Sequence, residues 1–244
     1  MESMILYFSI VVLLVWPLTC LLRKTILFCS TRKNPSNSAV SHLNQHDDNK
    51  KLANIWVEVK KQPFIFASIH VNAWDRDSTK ITDIGVSIWS TDTFDESDIQ
   101  SHYWRVKENM FLENERGLND PNIFTFGRTK LIHQADIKSI LHGVFESPML
   151  GGQQFVIVGH EVEFALNLIE DYWVPPRSAV VLDTQKIWQL QNHNPDPIGL
   201  KEALDTTPGT IYDRQLLCNT GNNARFTLRL LQAQGRDVRC KRAL

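Results

Sequence analysis

The residues of this chain that have the types to do chemistry gather in three short segments. An apolar run over 64–71 ends in Ile69-His70-Val71-Asn72. A second segment reads Val158-Gly159-His160-Glu161-Val162-Glu163-Phe164-Ala165-Leu166. A third reads Leu217-Cys218-Asn219-Thr220-Gly221-Asn222-Asn223-Ala224-Arg225. Imidazole and thiol are zinc-ligand types, so His70, His160 and Cys218 form one conceivable metal set, but no zinc-ligand spacing supports it. A nucleophilic Cys218 needs a placed base, and His70 is the candidate. Carboxylates near the segments are Asp75, Asp77, Glu161, Glu163 and Asp183. Hard anionic oxygens of this kind hold magnesium or manganese. The plainer reading of Glu161 is a helix-start carboxylate facing the positive end of the helix dipole. Asp75 and Asp77 read more simply as loop residues.

These segments need a scaffold, and the chain is large enough to supply one. It has 244 residues, 43% of them hydrophobic and 22% charged. That suits one domain with a full core behind a leader. The net charge of −1 gives no bulk basic footprint of a nucleic-acid binder. Four cysteines without a CxxC pair suggest reduced thiols. Residues 4–22 carry no charge and are long enough to cross a bilayer as a helix. Arg23, Lys24, Arg32 and Lys33 follow, so the positive-inside bias puts the C-terminal side in the cytosol. A signal peptide would want a basic start and a small-residue cleavage site, and neither is evident. The expected plan is a transmembrane anchor at 4–22, a basic flank and flexible linker at 23–51, and a folded domain at 52–244. Its lipid partner is the bilayer around the leader.

Hydrophobic periodicity predicts buried strands over 64–71, 81–89, 102–106, 155–158 and 180–182. It predicts helices over 134–145, 162–172, 198–204 and 222–234, with Phe164, Ala165, Leu168 and Ile169 on one inner face of the second and Gly235 stopping the last. Strands first, then strands alternating with helices, imply an α/β domain with a mixed sheet. Chemistry in such folds gathers at strand ends and helix starts.

Taken in order, the three segments resemble the exonuclease motifs of the DEDD (DnaQ-like) 3′–5′ exonucleases, whose fold is ribonuclease-H-like. Further features resemble a fungal branch, the Gfd2/QIP-type exonuclease-like domains. These are AWDRD and KITDIG after the first segment, FTFG at 124–127, VLDTQ at 181–185 and CNTGNNAR near the end. The resemblance spans about 64–234. It implies four carboxylates holding two divalent ions, with a histidine as general base on the attacking water. This chain departs at each position. His70 and Asn72 stand where the first motif has Asp and Glu. Ala165 stands for the second-motif Asp, Cys218 for the histidine and Asn223 for the last Asp. None of these side chains is an anionic oxygen ligand. The expectation is a catalytically inactive exonuclease-like domain with no cofactor, acting on single-stranded RNA or DNA by binding alone, or on a protein partner. The alternatives are a metal-dependent exonuclease using displaced carboxylates (Glu161, Glu163, Asp183) with Mg2+ or Mn2+, and a tethered scaffold with no nucleic-acid role.

Overall fold

The computed structural model describes residues 38–92, 98–114, 120–150 and 154–242. The expected membrane span at 4–22 and the basic flank lie outside the described residues. Among the described residues, no helix is long and apolar enough to cross a membrane. The fold below is that of the compact unit that begins at Val40.

Six strands form one mixed sheet in the order β4-β3-β2-β1-β5-β6. They are β1 (Phe64–Trp74), β2 (Asp77–Ser90), β3 (Gln100–Val106), β4 (Thr129–Ile132), β5 (Gln154–Gly159) and β6 (Val180–Asp183). The pairs β1/β2 and β2/β3 are antiparallel, and β3/β4, β1/β5 and β5/β6 are parallel. The helices are α1 (Ser38–Glu58), α2 (Ile137–Leu150), α3 (Val162–Leu168), α4 (Thr184–Gln191), α5 (Leu200–Thr206) and α6 (Thr220–Arg242). This six-stranded mixed sheet with helices against it fits the ribonuclease-H-like fold expected from the sequence.

Strand alternation sorts the central strand between two layers. Ile65, Ala67, Ile69 and Val71 join Leu141, Phe145, Val162, Ala165 and Trp173 in one apolar cluster. Phe64 and Phe66 instead join Trp56 of α1, Trp89 of β2 and Leu228 and Leu231 of α6. The even-numbered face of β1 therefore meets α6, and His70 and Asn72 continue that face.

Three expectations are corrected. A helix occupies Ser38–Glu58 where a flexible linker was expected to reach residue 51. Its second half carries Leu52, Ile55 and Trp56 at helical spacing, and their burial offsets the polar first half. Gly235 does not stop α6, which runs on to Arg242. A Cβ there would lie 2.3 Å from the Trp56 ring, so the glycine admits α1 rather than ending α6. The helix expected over 162–172 ends at Leu168, and Phe164 is 59% exposed rather than buried. Val162, Ala165, Leu166 and Ile169 fill its inner face, which turns Phe164 the other way.

Candidate functional site

The end of β1 and the first turn of α6 bring the first and third segments together. Ser68 Oγ donates to the Ala224 carbonyl and ties α6 to the middle of β1. Farther along β1, His70 Nε2 lies 3.4 Å from Asn223 Nδ2. Asn72 Nδ2 donates to Thr220 Oγ1 at 2.8 Å and lies 3.5 Å from Asp83 Oδ1. The cleft thus sets His70 of β1 beside Asn223 of α6, and Asn72, two residues farther along β1, beside Thr220 of the same helix. His70 keeps part of its surface, yet its ring is set deep enough that burial pushes its pKa down to about 4, with His160 adding to the effect. The imidazole is neutral at physiological pH. Asn223 Oδ1 is buried and has no hydrogen-bond partner among the described residues.

The other two motif positions do not join this group. Ala165 is 5% exposed and lies in the apolar cluster with Ile69 and Val71. Cys218 ends the 3₁₀ turn Arg214–Cys218 as a half-buried free thiol, and its carbonyl accepts from the Asp120 N–H at 2.7 Å.

Sequence reasoning passed over Asp83 and Thr220, which complete the cleft wall. Asp83 is 1% exposed. It accepts from the Thr220 hydroxyl, from Thr82 Oγ1 at 2.8 Å and from the Asn72 amide. The groups on it are donors, as a carboxylate that only accepts requires. The place of Asp83 follows from the pairing register of the hairpin and not from spacing along the chain. Antiparallel pairing sets Asn72 directly opposite Asp83, and opposite residues project from the same face.

The displaced acids are engaged elsewhere. Asp183 is 2% exposed and accepts from the backbone N–H groups of Glu161, Val162 and Gln185 at 3.2, 3.1 and 2.9 Å. It caps α4 and fixes the entry to α3. Glu161 adopts a left-handed backbone at φ 60°, and its carboxylate accepts from Gln185 Nε2 at 2.9 Å. Glu163 is exposed and pairs with Lys186 at 3.0 Å. His160 is bonded at both ring nitrogens, to the Ile198 carbonyl at 2.9 Å and to Thr184 Oγ1 at 3.0 Å. Burial lowers its pKa, against the pull of the Ile198 carbonyl, Asp183 and Glu161. Asp77 accepts from the Thr79 N–H and hydroxyl, which hold its pKa below the usual range, and the Asp75 N–H donates to Asn114 Oδ1. Among the described residues, no three His, Cys, Asp or Glu side chains group closely enough to hold a metal ion. The donor set at the cleft is one imidazole, two neutral amides and a single carboxylate that already accepts from two hydroxyls. That set does not fit a pair of magnesium ions, which demand several hard anionic oxygens.

The family model described as DNA polymerase III subunit epsilon-like, C-terminal domain matches residues 65–234. No curated protein is a significant match. Among solved structures, a full-length 3′-exonuclease is 13% identical over 74% of this chain and 83% of its own, with a TM-score of 0.48. A 3′-exonuclease described in 3′-end specific recognition of a histone mRNA stem-loop is 13% identical over 73% of this chain and 82% of its own, at 0.48. The nuclease domain of 3′hExo, described as a DEDDh family member bound to rAMP, is 12% identical over 73% and 92%, at 0.47. The family match spans most of the chain and contains all three segments, so this protein belongs to the DEDDh family of DNA polymerase III subunit epsilon-like exonuclease domains.

Proposed function

We propose that this chain is a catalytically inactive member of its family, a domain that holds single-stranded nucleic acid without cutting it. The observation that carries the reading is the composition of the cleft. His70, Asn72 and Asn223 face one another there, and none is a carboxylate. With neutral groups at these positions Asp83 is, among the described residues, the one carboxylate of the cleft wall, so less negative charge stands against an approaching phosphate than in a cleft of paired acids. A neutral imidazole and two amides offer hydrogen bonds to a strand with no metal between. The apolar leader anchors the chain to a membrane with the domain on the cytosolic side.

Nuclease activity through displaced acids is the weaker reading, because Asp183 and Glu161 are committed to backbone and Gln185 contacts. The test is a magnesium and manganese titration of the full-length chain with single-stranded RNA and DNA, reading binding and cleavage together. The expected result is binding that ignores the metal and no shortening of the strand. Metal-dependent trimming from the 3′ end, lost on Glu161→Gln or Glu163→Gln, would establish an active enzyme instead. Absence of both binding and cleavage at low salt would leave a scaffold.

A further inference from the structure

The family's metal ligands are missing, yet β1 and α6 still meet closely at the cleft. Ser68 and the apolar cluster hold α6 to the middle of β1, and at the cleft end the contact is made by polar side chains. Thr220 is the first residue of α6, and its hydroxyl sits between two side chains of the sheet. It accepts from Asn72 Nδ2 of β1 and donates to Asp83 of β2. Thr82 Oγ1 supplies a second hydroxyl to the other Asp83 oxygen at 2.8 Å. The seat beneath is shaped for contact. A Cβ on Gly85 would fall 2.2 Å from the Thr220 carbonyl oxygen, and one on Gly221 2.7 Å from Tyr103 Cβ.

We propose that Asn72, Thr220 and Asp83 form a hydrogen-bond latch that fastens the first turn of α6 to the β1–β2 hairpin, in the place where the family's metal chemistry would otherwise tie these elements together. The latch needs an amide at 72. A carboxylate there would face Asp83, 3.5 Å from the present amide nitrogen, and would compete with it for the one Thr220 hydroxyl proton. Asn72, one of the residues that depart from the exonuclease motif, therefore fits the metal-free cleft. The inference does not depend on whether a strand binds.

The latch has a direction that can be reversed. Exchanging the two groups, Asn72→Asp with Asp83→Asn, lets the Thr220 hydroxyl turn round, accept from residue 83 and donate to residue 72. The experiment is thermal melting of the full-length chain in EDTA for each single variant and the exchange. Each single change is expected to lower Tm by about 4 °C or more, and the exchange to recover most of the loss. A parallel cycle with Asn72→Ala and Thr220→Val covers the case in which Asp83→Asn does not fold. Its double variant is expected to lose clearly less than the sum of the two singles. Wild-type stability in Asn72→Asp, or strictly additive losses in either cycle, would overturn the latch. Failure of strand binding would leave these melts unchanged, so the two ideas fail separately.

Discussion

His70 Nε2 and Asn223 Nδ2 stand 3.4 Å apart, so the end of β1 and the first turn of α6 face each other across the cleft. Paired carboxylates at these sites repel unless a cation lies between them. The double variant His70→Asp with Asn223→Asp is therefore expected to lose about 2 kcal/mol of stability in EDTA. Manganese should restore much of it, because an ion that binds only the folded state stabilises that state. The wild-type melt should not respond to manganese. A double variant equally indifferent to the metal would mean that these two positions no longer converge as the family's ligands do.

The same histidine predicts a pH dependence. Burial holds the folded pKa of His70 at about 4 against an ordinary 6.5. Above the ordinary value both folded and unfolded chains carry the neutral ring, and His70 costs nothing. As pH falls from about 6.5 to about 4 the unfolded chain takes up a proton that the folded chain refuses, so stability falls and then levels off. The loss from this residue is at most about 3 kcal/mol, and less where solvent reaches the ring. His160, also shifted down by burial, acts in the same direction. Urea unfolding at pH 7.5 and pH 4.5 measures the slope. His70→Asn should flatten it, and an unchanged slope in that variant would assign the effect to other groups.

Much of this architecture was legible because strand signals are local. The continuous apolar run of β1 and the alternation in β2 placed two neighbouring central strands, and short apolar runs placed β5 and β6 beyond them. What escaped had no local signal. β4 is four residues long, and three of them, Thr129, Lys130 and Leu131, are exposed. α4 begins at Thr184 with no loop after β6, because Asp183 serves as both strand end and helix cap. The start of α1 looked too polar to order itself, and its anchor is the later Leu52, Ile55 and Trp56. Asp83 was read as part of a motif string. Its role came from the register that sets it opposite Asn72, a relation across the hairpin that spacing along the chain does not reveal.

The contact between α1 and α6 sets where the domain begins. Trp56 packs on Phe66 with ring centroids 5.4 Å apart and on Trp89 at 6.2 Å, and Gly235 leaves the space its indole fills. Trp56→Ala is expected to cost about 3–5 kcal/mol, the range for emptying a buried aromatic site. Gly235→Ala should also destabilise, because its new methyl would meet the indole ring and not a flexible chain end. Denaturant titration of both variants checks this. A cost near zero for Trp56→Ala would return α1 to the role of a linker and move the domain start beyond it.

Asp183 separates a structural acid from a ligand. Its two oxygens accept from the backbone of Glu161, Val162 and Gln185, so it joins the start of α3 to the start of α4. In Asp183→Asn one acceptor becomes a donor and faces N–H groups. The expected loss is about 2 kcal/mol, in line with a charged acceptor at a buried cap. A metal ligand would behave differently. Its removal would cost stability only when the ion is present, and would abolish any stabilisation that the ion gives. Melting Asp183→Asn with and without magnesium therefore distinguishes the two roles. An equal loss in both conditions is expected, since the carboxylate is already occupied by the chain's own N–H groups. A loss confined to the magnesium sample would make Asp183 a displaced ligand and bring back the active exonuclease.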